Sequence, residues 1–494
     1  MSVKLSFVIT IFCAYFSMAQ NGKPTDYLSS LFHKERREAL RNKMPNNSVA
    51  VFFGNPVRNR ANDVDYVYHQ DPDFYYLTGY KEPNSVLVVF SNNQTNKEGK
   101  SYSELLYVQE KNPQAEQRTG IRLGTEGAKK DLGFEVALNG KEFLNSDIDY
   151  LSFSAVLFKE FQDDYRNSKR DVADLFKLVD AFKIQIGYDA KGTQQVDSKM
   201  QKELNLKKNI ITKKAVLDTK SVSIHMASLR EKKTKEEMVL LTKAVRISAM
   251  GQREIMKAMH PGMSETEIQG VHEFVYKKYG SEFEGYPSIV GAGNNGCVLH
   301  YVENSKIKVE NELVLMDLGA EYHGYTADVT RTIPANGKFS PEQKLIYDLV
   351  YDAQEAGIAA ATIGSSFRST DVIARKVIYE GLIKLGIADS NDNAAKFFPH
   401  GLGHHIGLDV HDPGLYNLIE NNMVITIEPG IYIPIGSDCD KKWWGIAVRI
   451  EDDILITPNG PVNLSAEAPR RSDEIEALMR EKSVFDTFSL PNLD

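Results

Sequence analysis

Cysteine is scarce in this chain: three in 494 residues, at Cys13, Cys297 and Cys439. Cys13 lies in an N-terminal segment expected to be removed, which leaves two thiols, too few for a disulfide scaffold or a zinc-thiolate site. Positive charge is not in excess either, with 59 Lys and Arg against 67 Asp and Glu and a formal net charge of −8. No global basic field is therefore available to attract nucleic acid or anionic lipid. Low-complexity tracts and short solenoid repeats are missing as well. What remains is 42% hydrophobic and 26% charged, the composition of a globular, enzyme-sized chain with room for two or three domains.

The first segment, MSVKLSFVITIFCAYFSMAQ, carries a single Lys4, an apolar stretch from Leu5 to Phe16, and Ser17-Met18-Ala19 as a small-x-small cleavage pattern. This predicts a secretory signal peptide over residues 1–19. The apolar stretch is short of the roughly 20 residues a membrane span needs, and Phe12 before Cys13 is too bulky for a lipoprotein cleavage site. Export without a stable membrane anchor is expected, to a periplasm or out of the cell.

After this segment, Asp26 to Met44 is expected as a surface helix closed by Pro45. The runs Val49 to Phe53, Val86 to Phe90, Leu105 to Val108 and Ile184 to Tyr188 are expected as strands, with a helix over Arg170 to Phe182. Strands alternating with helices predict an α/β N-terminal domain over residues 20–205. The lysine-dotted segment 206–235 lacks a sustained apolar period and is expected as a linker. Then Thr234 with Glu237 makes a capping box ahead of Met238, Leu241, Val245 and Ala249 at helical spacing. Ser264 with Glu267 opens a second helix, Ser340-Pro341-Glu342-Gln343 a third, and Thr370 to Gly386 holds a fourth. Strand pairs fall between them: Leu313 to Leu318 with Tyr325 to Ile333, and Val424 to Glu428 with Ile446 to Thr457. Helix pairs alternating with antiparallel strand pairs predict an α+β domain over 236–475, followed by a tail over 476–494.

Six of the eleven histidines, His300, His323, His400, His404, His405 and His411, fall in the middle of this second domain. The stretch HGLGHHIGLDVHD, residues 400–412, holds four of them, and its glycines free the backbone to approach a compact site. Asp317 closes the apolar strand VLMDLG, and Asp328 sits in YTADVTRT on its expected partner. A carboxylate inside such a strand is costly to bury unless it is paired or bound to a metal. Glu428 ends the apolar run MVITIE and Glu451 follows GIAVRI. Arg449, two residues before Glu451, shares its strand face and can brace the acids. Taken singly, each of these has a plain alternative as a solvated hairpin end, a core histidine or a surface ion pair. Together, Asp317, Asp328, His404, Glu428 and Glu451 offer four carboxylates and one imidazole, a hard donor set suited to two divalent ions such as Mn²⁺, Co²⁺ or Zn²⁺. A water shared by two such ions is acidified into a hydroxide nucleophile, so hydrolysis is the natural reaction.

The segments IVGAGNNGCVLHY, LVLMDLGAEYHGYTADVTRTIPANGKFS, HGLGHHIGLDVHD, VITIEPGIYI and GIAVRIEDDILIT occur in this order. DFYYLTGYKEPNSVLVVF precedes them in the N-terminal domain. On these motifs the chain resembles the aminopeptidase P (Xaa-Pro aminopeptidase) family of pita-bread metallopeptidases, over nearly the whole mature length. The resemblance implies a pita-bread catalytic domain behind a smaller non-catalytic one, and proline-containing peptides as substrates. It makes Asp317 a ligand of one ion, His404 and Glu428 ligands of the other, and Asp328 and Glu451 bridges. His300, His400 and His411 match histidines that contact substrate, Glu428 the proton-shuttling glutamate, and Arg449 the arginine behind the acids. It also implies a homodimer or homotetramer. Two further readings stay open: a prolidase restricted to X-Pro dipeptides, and a peptide-binding relative that has lost catalysis. The X-Pro nitrogen has no hydrogen and its ring fixes the local backbone, so strand-binding peptidases handle this bond poorly. A metal site that attacks the carbonyl directly, and holds the free amino terminus, suits cleavage after the first residue.

Overall fold

The computed structural model describes residues 24–168, 171–188, 215–488 and 490–491. The expected signal peptide, residues 1–19, and the first part of the expected linker, 206–214, lie outside the described residues.

In the N-terminal domain the strand Ser48–Phe53 sends Ala50 and Phe52 into one apolar core and Val49 and Val51 into another. Successive strand residues face opposite ways, and with both faces covered the strands are near-continuous apolar runs. The six-stranded sheet has the order Ala137–Asn139, Ser101–Val108, Val86–Thr95, Ser48–Phe53, Ala155–Leu157, Leu217–Asp218. Ser101–Val108, Val86–Thr95 and Ser48–Phe53 pair antiparallel with one another, and the remaining pairings on either side are parallel. The expected helix at Asp26 to Met44 is narrower, Ser30–Arg41, with Ser29 as its N-cap.

Ile184 to Tyr188 is not a strand but the end of the helix Leu175–Ile186, capped by Asp174 and stopped by Gly187 at φ +64. Leu178, Val179, Phe182 and Ile186 bury one helical face, a pattern that a five-residue window cannot separate from a strand. The described part of the linker, 215–235, is also structured. Leu217–Asp218 adds the last strand to the N-terminal sheet, and Ser221–Arg230 is a helix. Its Val222, Met226 and Leu229, spaced four and three apart, enter the core beneath the sheet, an apolar stripe hidden by the lysines around it.

The second domain is α+β and built in two similar halves. The helices Lys235–Ala258 and Glu265–Lys278 belong to the first, Pro341–Ala360 and Phe367–Lys384 to the second. Their starts follow from local chemistry: capping boxes at Thr234 and Ser340, the latter with Pro341 in the first turn, and Ser264 accepting from the Glu267 amide. In the first half Leu313–Asp317 pairs with Thr330–Pro334 and Ile289–Ala292; in the second, Val424–Ile427 pairs with Asp452–Thr457, which pairs with Gly460–Asn463. Both halves share one core. The helix Ser472–Leu478 puts Ile475 and Leu478 into that core, so the expected boundary at 475 falls inside an element of the domain.

The two domains meet along the helix Pro72–Thr78. Tyr76 donates to the Leu229 carbonyl at 3.1 Å and Tyr75 to the His323 carbonyl at 3.2 Å. Arg230, buried at the seam, pairs with Asp73 at 2.6 Å, Asp412 at 2.5 Å and Asp409 at 2.8 Å.

Candidate metal centre

Each half of the second domain sends acids from the open end of its strand ladder toward the other. Asp317 is the last residue of its strand, and Asp328 stands just before Thr330–Pro334. Glu428 follows Val424–Ile427, and Glu451 precedes Asp452–Thr457. His404 comes from the loop 400–412, which lies against the second ladder: the Thr426 hydroxyl accepts from the His404 amide at 3.0 Å, and the Thr426 amide donates to the His404 carbonyl at 2.8 Å. Gly403 allows this crossing, since a Cβ there would stand 1.9 Å from the Thr426 carbonyl oxygen.

Asp328, His404 and Glu451 each offer a ligand atom within 4.8 Å of the other two. His404 Nε2 is 3.5 Å from Asp328 Oδ2 and 3.6 Å from Glu428 Oε1. Tyr286 links the remaining acid, its hydroxyl standing 2.6 Å from both Asp317 Oδ1 and Asp328 Oδ1. Asp317, Asp328 and Glu451 are buried, while Glu428 is half-buried. Arg449 Nη2 donates to Asp317 Oδ2 at 2.5 Å, and its Nε to Thr330 Oγ1 at 3.1 Å; Thr330 in turn donates to Glu451 Oε2 at 2.6 Å. The third arm of Arg449, Nη1, donates to the Tyr432 hydroxyl at 2.9 Å, which lies 2.8 Å from His400 Nε2. His400 is half-buried with its Nδ1 3.6 Å from Glu428 Oε2, while His300 and His411 are exposed. The His411 ring centroid lies 4.1 Å from that of His404.

The electrostatics are those of crowded acids. Burial, with Asp328 nearby, pushes the Asp317 carboxyl up; burial lifts Glu428 to about 7; and burial with three acidic neighbours raises Glu451 well above the carboxylate range. For His404 burial opposes the charge, but the Asp328 hydrogen bond and Glu428 outweigh it and raise the imidazole to about 9. His400 is lowered to about 4 by burial and by Arg449, and burial with His404 lowers His411. Four carboxylates this close cannot all ionise unless positive charge stands among them. Arg449 supplies one unit, and the oxygen-rich set with one imidazole fits divalent cations for the rest.

Several polar residues here were not legible beforehand. Tyr286, in the motif YPSIVGAGNNG, has an apolar-looking context, and only its contact with two acids gives it away. The expected shared strand face of Arg449 and Glu451 is not formed, since one strand ends at Arg449 and the next begins at Asp452; Thr330 joins the two residues instead. Asp452 and Asp453, in the run EDD after Glu451, are buried: Asp452 pairs with Arg331 at 2.7 Å, and Asp453 accepts from the Asp328 amide at 3.1 Å. Three consecutive acids inside an apolar strand are the signal that could have found them. Tyr432 is a polar hinge between His400 and Arg449 as well as a packing residue. His405 is buried against Phe367 and Tyr416. His323 is sandwiched between Glu282 Oε1 at 2.5 Å and Asp26 Oδ1 at 2.9 Å, away from the acid cluster.

Fold and site together define a pita-bread metallopeptidase. The pattern of metallopeptidase family M24 matches residues 239–458, and that of the aminopeptidase P N-terminal domain matches residues 33–151. The Xaa-Pro aminopeptidase of Escherichia coli K12 is 34% identical over 458 residues, 90% of this chain and 97% of its own. The human Xaa-Pro aminopeptidase 3 is 31% identical, covering 92% and 85%. The structure of Escherichia coli aminopeptidase P with the inhibitor Pro-Leu superimposes with a TM-score of 0.78 at 32% identity, over 92% of this chain and 98% of that one. The chain belongs to metallopeptidase family M24, in its aminopeptidase P branch, and is a metallo-exopeptidase.

Proposed function

We propose that this protein removes the first residue from peptides whose second residue is proline, with two divalent ions held by Asp317, Asp328, His404, Glu428 and Glu451. The observation that carries this is the gathering of Asp328, His404 and Glu451 within 4.8 Å, flanked by Asp317 and Glu428. In this reading Asp317 holds one ion, His404 and Glu428 the other, and Asp328 and Glu451 lie between. Mn²⁺ is the proposed metal, with Co²⁺ and Zn²⁺ compatible with the same donors. When bound, the ions polarise the scissile carbonyl and make a water acidic enough to attack at neutral pH.

The chain's own groups do the rest. Glu428 is the most exposed of the four acids, which suits it to take the proton from the attacking water and return it to the proline nitrogen as that bond breaks. His400, kept neutral by burial and by Arg449, is oriented by the Tyr432 hydroxyl. Exposed His300 and His411 are placed to hold the substrate and steady negative charge on the former carbonyl oxygen. Arg449 fixes Asp317 directly and Glu451 through Thr330, which keeps the cluster in place as charge moves.

The prolidase reading shares every one of these groups and differs only in substrate length. A series comparing a proline-second tripeptide with an X-Pro dipeptide on Mn²⁺-loaded protein decides between them. Faster turnover of the tripeptide is expected, and activity confined to the dipeptide would overturn the proposal. Export is proposed from the Lys4, Leu5–Phe16 and Ser17-Met18-Ala19 pattern alone. Association into a homodimer or homotetramer is proposed with support from exposed Val64, Tyr66 and Val67 at 51%, 59% and 78%, an apolar edge suited to a second copy. Light scattering behind a sizing column tests it, and a monomer at micromolar concentration would overturn it.

A further inference from the structure

Two buried glutamines occupy matching places in the two halves of the catalytic domain. Gln252 lies on Lys235–Ala258, the first helix of the first half, and Gln354 on Pro341–Ala360, the first helix of the second. Both are fully buried. In the first half the ladder between Leu313–Asp317 and Thr330–Pro334 has Asp317 opposite Thr330 as its last pair; beyond it the strands part and Asp328 turns into the site. Gln252 Nε2 stands at that fork, donating to the Met316 carbonyl at 3.1 Å and the Val329 carbonyl at 2.8 Å. Those are the residue before Asp317 and the residue after Asp328. In the second half the last pair is Ile427 opposite Asp452, and Glu428 and Glu451 follow at the fork. Gln354 Nε2 donates there to the Ile427 carbonyl at 3.0 Å and to Asp452 Oδ2 at 2.8 Å, next to Glu428 and next to Glu451.

Strands that part leave buried acceptors without ladder partners, and each such group must be satisfied or it costs stability. One primary amide has two protons on one nitrogen and can tie two strands together at one point. A serine or a backbone amide cannot do both at once. Among the described residues the Gln252 carbonyl oxygen has no hydrogen-bond partner, so the side chain's polar contacts are its two donated bonds.

We infer that Gln252 and Gln354 are paired positioning residues, each fixing the spacing of one pair of acids: Gln252 that of Asp317 and Asp328, Gln354 that of Glu428 and Glu451. The inference rests on the two-ion reading of the site and deepens it by bracing the acid particular to each ion, Asp317 by Gln252 and Glu428 by Gln354, together with one of the two shared acids. Neither glutamine contacts a ligand side chain: Gln252 acts through the Met316 and Val329 carbonyls, Gln354 through the Ile427 carbonyl and the Asp452 carboxylate, each next in sequence to a ligand. Its consequence is a division of labour. Loss of the Gln252 brace loosens the ion nearer Asp317, and loss of the Gln354 brace loosens the ion nearer His404 and Glu428.

The test is calorimetric titration of Mn²⁺ into metal-stripped full-length protein, with Gln252→Met and Gln354→Met. Methionine keeps the unbranched shape and approximate volume while removing both donors. Wild type is expected to show two binding steps. Each variant is expected to weaken one step about 10- to 100-fold, the range usual for groups supporting metal ligands, and to weaken the other clearly less through the shared acid, the two variants affecting different steps most. Gln252→Asn and Gln354→Asn keep an amide one methylene short and are expected to fall between; they carry the test if a methionine variant does not fold. Unchanged constants in folded variants, or an equal loss in both steps from either variant, would overturn the inference while leaving the two-ion site standing. A wild-type protein that binds one ion would overturn both.

Discussion

Tyr432 shows how one hydroxyl can serve two roles in this site. Its oxygen accepts from Arg449 at 2.9 Å and lies 2.8 Å from His400 Nε2, so it sets the ring that faces Glu428 and occupies one arm of the guanidinium behind Asp317. Tyr432→Phe keeps the packing and removes both bonds. A hydrogen bond to a charged group contributes about 1.5 to 3 kcal/mol. Steady-state kinetics are expected to show kcat lowered about tenfold or more, with a melting temperature lower by a few degrees because the buried Arg449 Nη1 loses its acceptor; an unchanged kcat would reduce Tyr432 to a packing residue. The five candidate metal-site residues could be singled out at this scale because costly polar groups recur at the ends of apolar strands and in one histidine-rich loop, and together make a donor set that none makes alone. Tyr286 and Thr330 were not, because neither a tyrosine nor a threonine is costly in a strand, and only their contacts mark them.

At the scale of elements, two helices carry histidines that the fold holds neutral. His33, on Ser30–Arg41, is lowered to about 4 by burial, and His272, on Glu265–Lys278, is lowered to about 3 by burial. In the unfolded chain both bind a proton near pH 6.5. Below that value the unfolded state takes up protons that the fold refuses, so stability is complete above about pH 6.5 and falls as the pH drops toward 4. Urea unfolding of metal-free protein at pH 7.5, 6 and 5 is expected to show wild type losing stability relative to His33→Gln and His272→Gln as the pH falls, the raised acids of the metal cluster titrating alike in all three; an identical pH slope in the variants would contradict it. Helix starts were easy to foresee, since Thr234, Ser264 and Ser340 cap by local chemistry alone. The helix Ser221–Arg230 was not, because its apolar stripe has meaning only against the sheet that covers it. The end of Leu175–Ile186 was misjudged for the same reason, a short apolar run being set by its surroundings.

Across the whole molecule, the two domains are joined by buried charge as well as by apolar packing. Arg230 holds Asp73 of the N-terminal domain and Asp412 of the loop carrying His404 and His411, with Lys233 on Asp412 at 2.9 Å and Lys159 on Asp73 at 2.6 Å. Removing one partner of such a cluster strands the others and costs about 3 to 5 kcal/mol. Arg230→Met is expected to lower stability by about that amount in chemical denaturation, and a loss under about 1 kcal/mol would show the seam to be held by its apolar contacts alone. Domain order and the α+β class could be read ahead from alternating periodicities, whereas this seam could not, since its charges come from segments more than 150 residues apart.

The central claim is that side chains from both halves of the catalytic domain enclose two divalent ions. Crystals of the full-length protein grown with Mn²⁺, measured at a wavelength where manganese scatters anomalously, test it directly. Two peaks are expected roughly 3.5 to 4 Å apart, one beside Asp317 and one beside His404 and Glu428, with Asp328 and Glu451 between them. A single peak, or peaks outside this cluster, would contradict it.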